Sequence, residues 1–359
     1  MSVAMLSEQL VKTACLVHVF TTTANGIHEL NVVPNLPINV DGVPVSYFKR
    51  ITKDHTHFSP ALLKALWRQS KSHDVIHIHA WWNLVSILSC FIALMRSVPV
   101  LVSARGTLSP YSFQNKNKGI KWLIHQLLSK PLLKRCHFHV TSDRENEAIK
   151  SVVKPKSITA IPNFVKLPAN YPKSNDSSYS PFNLIFLSRI EEKKGLDILI
   201  NALPFLKFPY SLTIAGDGDQ DYIAELKALS KTNKVENNIQ WVGFQNENKF
   251  ELLQAHHLLV LPSHDENFGN VVIESLAVGT AVLISEQVGL ADYVYKNQLG
   301  WVCQTNPLSV AHSIENIARQ TTDIERIRLE APGIITNNFN EDSLAIKYIG
   351  LYNKIGIAN

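Results

Sequence analysis

Two glutamates, Glu266 and Glu274, stand with seven residues between them around the step Phe268-Gly269-Asn270, just after the apolar run LLVLPS. A helix starting near Gly269 would leave its first amides, at Phe268, Gly269 and Asn270, without intrahelical partners. Together with the helix dipole, such amides form an anion site. Glu274 would lie about one turn further on, and an ionised carboxylate can accept from both hydroxyls of a cis-diol, which is how a ribose is commonly held. Glu266, ahead of the helix, would accept from sugar hydroxyls beyond the phosphates. The two acids would then bracket a diphosphate, one on each of its sugars. A glutamate on such a helix is otherwise a solvated surface charge.

Basic residues for the same ligand follow another strand-like run, NLIFL, in SRIEEKKG. Arginine grips phosphate oxygens through paired bonds and lysine adds a compact charge, so Arg189 and Lys194 together suit a diphosphate. Lys193 reads as a solvated charge. In IAGDGDQD the dinucleotide fingerprint fails, because Asp221 occupies the third glycine position and acids crowd the helix start. Asp217 and Asp219 have the D-x-D spacing of a magnesium site, but they read better as turn and cap residues, with Gly216 and Gly218 making a turn tight enough for a nucleotide to approach the backbone.

In the first half, DVIHIH ends on His79, with His77 on the same strand face and deeper. His77 reads as a core histidine and His79 as a candidate at the strand end, where histidines also bond backbone. Neither this pair nor His137 with His139 has third and fourth ligands at recognisable spacing for zinc. Arg105 and Gly106 follow the strand PVLVS and suit either acceptor binding or a structural ion pair. Trp81 and Trp82 suit sugar stacking or core packing.

These residues need elements to position them. Short β-branched runs (LVHVFT, DVIHIH, PVLVS, FHVTS, NLIFLS, SLTIAG, LLVLPS, TAVLIS) alternate with helical segments, the pattern of parallel sheets with crossover helices. The break between two such series is LPANYPKSNDSSYSPF, which reads as a linker. The expectation is α/β, with two doubly wound Rossmann-like domains facing a cleft: 1–168, a linker at 169–182, 183–340, and a last helix, 341–359, crossing back to the first domain. At 359 residues each half can bury its own core. Net charge is only +5, from 35 Lys+Arg against 30 Asp+Glu, which does not call for nucleic acid. The four cysteines include no C-x-x-C pair, so a reducing cytoplasm is expected. No signal peptide is legible, and the most apolar stretch, Leu84 to Met95, is far short of the ~20 residues of a span.

LSRIEEKKGLDILINAL, IAGDGD, VGF, LVLPSHDENFGNVVIESLAVGTAVL and GLADYV resemble the C-terminal half of the retaining glycosyltransferases of family four, which have the GT-B fold. Glu266 and Glu274 match their E-x7-E motif. DVIHIHAWWN, SARGTLSPYSF and VTSDRENEAI fit the first half more loosely, nearest to members that build bacterial surface polysaccharides. The resemblance implies a nucleotide-sugar donor and a glycan or lipid-linked glycan acceptor, with anomeric configuration retained. Arg189 and Lys194 would hold the diphosphate and Glu274 the ribose. Glu266 would hold the transferred sugar beside the amides of Phe268 to Asn270, with Gly216 close to the nucleotide and His79 near the reacting sugar. No cofactor or metal is expected; the departing phosphate itself deprotonates the acceptor. Peripheral contact with the inner membrane face fits the same group.

Family members open with a strand and a glycine-rich loop, whereas this sequence starts within the helix that follows, so a first domain truncated at its N-terminus is expected. The alternative function is a truncated, non-catalytic homologue that binds nucleotide-sugar or a partner enzyme. An NAD-dependent oxidoreductase is disfavoured by the failed glycine fingerprint.

Overall fold

The computed structural model describes residues 2–13, 15–26, 28–52, 54, 56–109, 125–168 and 179–357. The chain divides into two compact units, one formed by residues 1–164 with 341–359 and the other by 165–340. Most of the stretch read as a linker, 169–178, lies outside the described residues, as does the end of SARGTLSPYSF.

The first unit contains two main sheets. In one, β1 (Val19–Thr22) runs parallel to β5 (Val43–Phe48), and β5 pairs antiparallel with β4 (Pro37–Val40); β2 (Ala24–Asn25) and β3 (His28–Glu29) form a small separate hairpin. The β4–β5 turn places Asp41 and Gly42 at positive φ, 49° and 86°. Asp-Gly is the pair such two-residue turns favour, because both central residues must be left-handed. That hairpin is absent from the sequence reading above. β1 also begins later than the run LVHVFT, since only Val19–Thr22 find partners on β5.

The second sheet is fully parallel: β6 (Ile76–His79), β7 (Val100–Ser103), β8 (His137–Val140) and β9 (Ser157–Ala160) lie side by side in that order. The helix Leu84–Met95 crosses from β6 to β7, its start capped by the Asn83 side chain. Strand alternation sorts the side chains. Ile78, Val102 and Phe138 face a core shared with Ile87 and Ile149. Leu101 on the opposite face packs with Leu6 and Leu10 of the helix Ser2–Lys12, and with Leu344, Tyr348 and Leu351 of the helix Glu341–Ile357.

The second unit is one six-stranded parallel sheet in the order β12-β11-β10-β13-β14-β15, where β10 is Phe182–Leu187, β11 Tyr210–Ala215, β12 Ile239–Gly243, β13 Leu258–Leu261, β14 Ala281–Ser285 and β15 Gly300–Cys303. β13 and β14 are buried throughout, which is why they read as unbroken apolar runs. The strand order reverses between β10 and β13. In doubly wound sheets ligands bind beyond the carboxyl ends of the strands at that switch point. Among the described residues no helix is long and apolar enough to cross a membrane.

Candidate functional site

Three loops leave the carboxyl ends of β11, β10 and β13, and close backbone approach locks them together. A Cβ on Gly216 would lie 1.9 Å from the Ser188 carbonyl oxygen, and one on Gly218 2.0 Å from that of Ile190. Both glycines are therefore required by contact with the β10 loop, beyond any role in turning the chain. The Ile190 amide donates to the Asp217 carbonyl at 2.9 Å. Gly195, at φ 69°, would meet the Pro262 carbonyl at 2.2 Å if it carried a Cβ, and the His264 amide donates to the Lys193 carbonyl at 2.8 Å. The loops bearing the basic residues and the acids thus form one frame.

Within that frame the predicted charges pair. Lys194 is buried, and its Nζ donates to Oε2 of Glu266. Arg189 is exposed and lies 3.1 Å from Glu191, and Lys193 lies 3.8 Å from the same carboxylate. The helix Asn270–Ala277 follows, with Gly269 as its N-cap at φ 94°. The Val272 amide turns back to the Gly269 carbonyl at 2.9 Å, so the first helical turn is tight. Phe268 lies outside the helix, its side chain buried with a ring-centroid distance of 6.2 Å to Phe339. Its contribution to a ligand site is confined to backbone.

Glu274 is buried, and Lys249, which the sequence reading missed, donates to its Oε1 at 2.8 Å. Lys249 opens the helix Lys249–Gln254. A lysine in a first turn opposes the helix dipole, and here the Glu274 carboxylate, with Glu251 in the same turn, compensates it. Asp219 accepts from the amides of Asp221 and Tyr222 as the N-cap of the helix Gln220–Thr232, and Asp217 accepts from the Gly218 amide at 2.8 Å. Among the described residues no group of three His, Cys, Asp or Glu could hold a metal ion.

The first unit carries a second polar cluster on the sheet face under the helix Glu341–Ile357. His139 Nε2 faces the Ile161 carbonyl at 2.8 Å, and a carbonyl only accepts, so Nε2 holds the proton. Nδ1 of His139 then accepts from the Ser103 hydroxyl at 2.7 Å; Ser103 accepts from His77 Nε2, also 2.7 Å away; and Tyr352 donates to His77 Nδ1 at 2.9 Å. Burial is the largest cause that lowers the pKa of each of His77, His79 and His139, the last to about 4. Neutral rings in one fixed hydrogen-bond direction result. His77 is tied into this network, and its ring centroid lies 4.0 Å from that of His79. Arg105 Nε donates to His79 Nδ1 at 3.3 Å, and NH1 to Asn163 Oδ1 at 3.0 Å.

Glu145 is buried and accepts from the amides of Gly106 and Thr141 and from the Thr141 hydroxyl. The spacing Ser142-x-x-Glu145 is the capping-box signature, a signal the sequence reading did not use. Trp81 is core, and the Trp82 indole donates to the Thr107 carbonyl.

Residues 169–331 match the family model for Glycosyl transferases group 1, and residues 1–167 that for Glycosyltransferase Family 4. The chain belongs to the GT-B glycosyltransferases. Among curated relatives of this GT-B chain, an uncharacterized glycosyltransferase of Methanocaldococcus jannaschii is 29% identical over 47% of the chain and 44% of its own length. Glycogen synthase of Mycobacterium tuberculosis is 26% identical over 78% of the chain and 68% of its own. The match to the first of these spans less than half of that relative. The same fold appears in sucrose-phosphate synthase from Thermosynechococcus elongatus (TM-score 0.78, 18% identity, 99% of this chain and 93% of that one) and in Anabaena HepE in complex with UDP-glucose (TM-score 0.69, 19% identity, 88% and 87%).

Proposed function

We propose that this GT-B chain transfers a sugar from a nucleotide-sugar to a glycan or lipid-linked glycan with retention of anomeric configuration, in assembly of exopolysaccharide, capsule or lipopolysaccharide. The observation that carries the reading is the pair of part-buried Lys–Glu contacts, Lys194 with Glu266 and Lys249 with Glu274, on loops and helices beyond the strand-order switch of the second unit. Each places an ammonium and a carboxylate where a diphosphate and a sugar hydroxyl need opposite partners. In the structure each lysine neutralises its carboxylate. An arriving diphosphate takes Lys194 and leaves the Glu266 carboxylate free to accept from the transferred sugar, while Arg189, exposed and weakly paired, swings onto the phosphate oxygens. Glu274 holds the ribose with Lys249 behind it. The amides at Phe268 to Asn270 and the approach over Gly216 complete the donor site.

Chemistry then rests on positioning and on stabilising charge as it develops on the leaving phosphate. The departing phosphate deprotonates the acceptor on the same face of the sugar, and no metal takes part. Anabaena HepE, solved in complex with UDP-glucose, and a relative named glycogen synthase support the donor and acceptor classes. A cytoplasmic site, with peripheral contact at the membrane where lipid-linked acceptors lie, fits this chemistry.

The test is a panel of nucleotide-sugars offered to the purified chain with glycan and lipid-linked acceptors, with the anomeric configuration of the product read by NMR. Transfer with retention supports the reading. Binding of a nucleoside diphosphate without turnover on any acceptor would instead support a non-catalytic, sugar-nucleotide-binding protein.

A further inference from the structure

The loops after β6 and β7 hold three non-glycine residues at positive φ: Ala80 at 65°, Trp82 at 30° and Arg105 at 51°. Such conformations persist only where surroundings over-determine them, and they gather at working sites. Here the surroundings are visible. The Ala80 amide donates to the Ser103 carbonyl at 2.9 Å, the Trp81 amide to the Thr107 hydroxyl at 3.1 Å, and the Gly106 amide to Glu145 at 3.1 Å. Arg105 is held by its backbone neighbour through Glu145 and by its guanidinium through Asn163, with Nε left aimed at His79.

An arginine Nε–H is a donor only and does not lose its proton in proteins, so the His79 Nδ1 it meets must present a lone pair. A neutral imidazole with a bare Nδ1 carries its proton on Nε2. Among the described residues nothing bonds that Nε2, and His79 keeps part of its surface exposed. We propose that Arg105 is a positioning residue that holds His79 as the Nε2–H tautomer, so that His79 donates a hydrogen bond to a ligand oxygen and does not act as a base.

The role of a ligand rests on the transferase reading; the tautomer does not. The groups around His79 agree with it. Arg105 and His139 both disfavour a second positive charge there, and burial does so more strongly. His77 packs against His79, the rings tilted by 37°, while bonded to Tyr352 and Ser103, and Tyr348 bonds His139 at 2.9 Å. Glu145, the carboxylate that faces Arg105, is occupied by Thr141 and Gly106.

The experiment is long-range proton–nitrogen NMR on the full chain labelled with nitrogen-15 histidine, at neutral pH, with the His79 signals identified as those lost in His79→Gln. A protonated Nε2 and bare Nδ1 are expected. Arg105→Met should give mixed tautomers and a higher pH of protonation, and kcat roughly ten- to hundredfold lower with donor KM changed much less. Asn163→Ala, which removes one acceptor of the guanidinium without removing the guanidinium itself, should shift the tautomer part-way and serves where Arg105→Met does not fold. A protonated Nδ1 in the wild-type chain, or an unaltered tautomer in Arg105→Met, overturns the proposal. The expected tautomer in a chain that transfers no sugar overturns only the transferase reading.

Discussion

The two units answer the same physical problem, a polar site beyond parallel strands, in opposite ways. The second unit uses full charges in compensating pairs, Lys194 with Glu266 and Lys249 with Glu274. The first, among the described residues, relies mainly on neutral groups: His77 and His139 with Ser103, Tyr348 and Tyr352 form one hydrogen-bonded chain, and His79, its pKa also lowered, lies beside them with the Arg105 guanidinium turned onto it and the Glu145 carboxylate held by Gly106 and Thr141. Ion pairs can be opened by a ligand that brings its own charge, whereas a neutral network offers dipoles to hydroxyls. On the function proposed above, that contrast would suit the second unit to a diphosphate and the first to an uncharged sugar.

The largest effect is expected from removing a charge from the second unit. On the proposed reading, Lys194→Ala removes the cation that meets negative charge developing on the leaving phosphate, and kcat should fall roughly 100- to 1,000-fold, the range seen when one preorganised donor to a transition-state charge is lost. Affinity for the nucleoside diphosphate should fall by about tenfold or less, since a contact that strengthens in the transition state costs more in turnover than in binding. Transfer kinetics beside calorimetry separate the two. Equal losses would make Lys194 a ground-state anchor.

The neutral network makes the first unit sensitive to acid. His139 has a folded pKa of about 4 against an ordinary 6.5, chiefly through burial. The unfolded chain therefore takes up the proton first as pH falls. Stability from this group is complete above about 6.5 and is lost as pH falls toward about 4, on the order of 3 kcal/mol in all. His77 and His79 are shifted in the same direction. Urea unfolding of the full chain across that window should show the decline, and His139→Gln should flatten it. The same slope in both proteins would show that His139 is not held neutral.

Glu274→Ala tests a charge against a hydroxyl pair. If Glu274 holds the ribose as proposed, the variant loses a charge-assisted bond worth roughly 1.5–3 kcal/mol, or about ten- to hundredfold in nucleoside-diphosphate affinity. Unchanged affinity by calorimetry would reduce Glu274 to a structural partner of Lys249.

What could be read from the sequence follows from distance along the chain. Glu266 and Glu274 share one loop and helix, and His79 ends its own strand, so local spacing was enough to single them out. Lys249 meets Glu274 across 25 residues, Tyr348 meets His139 across 209, and Tyr352 meets His77 across 275. No local pattern carries such pairs, because they exist only once sheet order and helix packing are fixed. Gly216 and Gly218 were legible as a turn, but the contact that demands them, the carbonyls of Ser188 and Ile190, was not. β13 and β14 were legible because both faces are covered, which makes them apolar runs, whereas the parallel strands β9, β12 and β15, more polar or less buried, were not among the runs read. The β4–β5 hairpin was legible in principle from Asp41-Gly42 and escaped a reading tuned to crossovers.

The mildest change concerns the charges of the second unit that stand outside its ion pairs. Asp219 accepts from two amides at the head of Gln220–Thr232, and Asp217 accepts from its neighbour Gly218 and from the Gln220 side chain at 3.2 Å. Oxygens committed in this way to backbone donors are poorly placed to ligate a hard cation, which needs six or more oxygens around it. Asp219→Ala should cost the helix about 1 kcal/mol, the usual worth of an N-cap, and leave sugar transfer nearly unchanged at a temperature where the chain is folded. Chelation with EDTA should likewise leave the rate intact. Thermal unfolding measures the first effect and transfer assays the second. Transfer abolished by chelation and restored by magnesium or manganese, together with a large loss in Asp219→Ala, would instead make Asp217 and Asp219 a metal site, and the second unit would then stabilise the leaving phosphate with an ion as well as with Lys194.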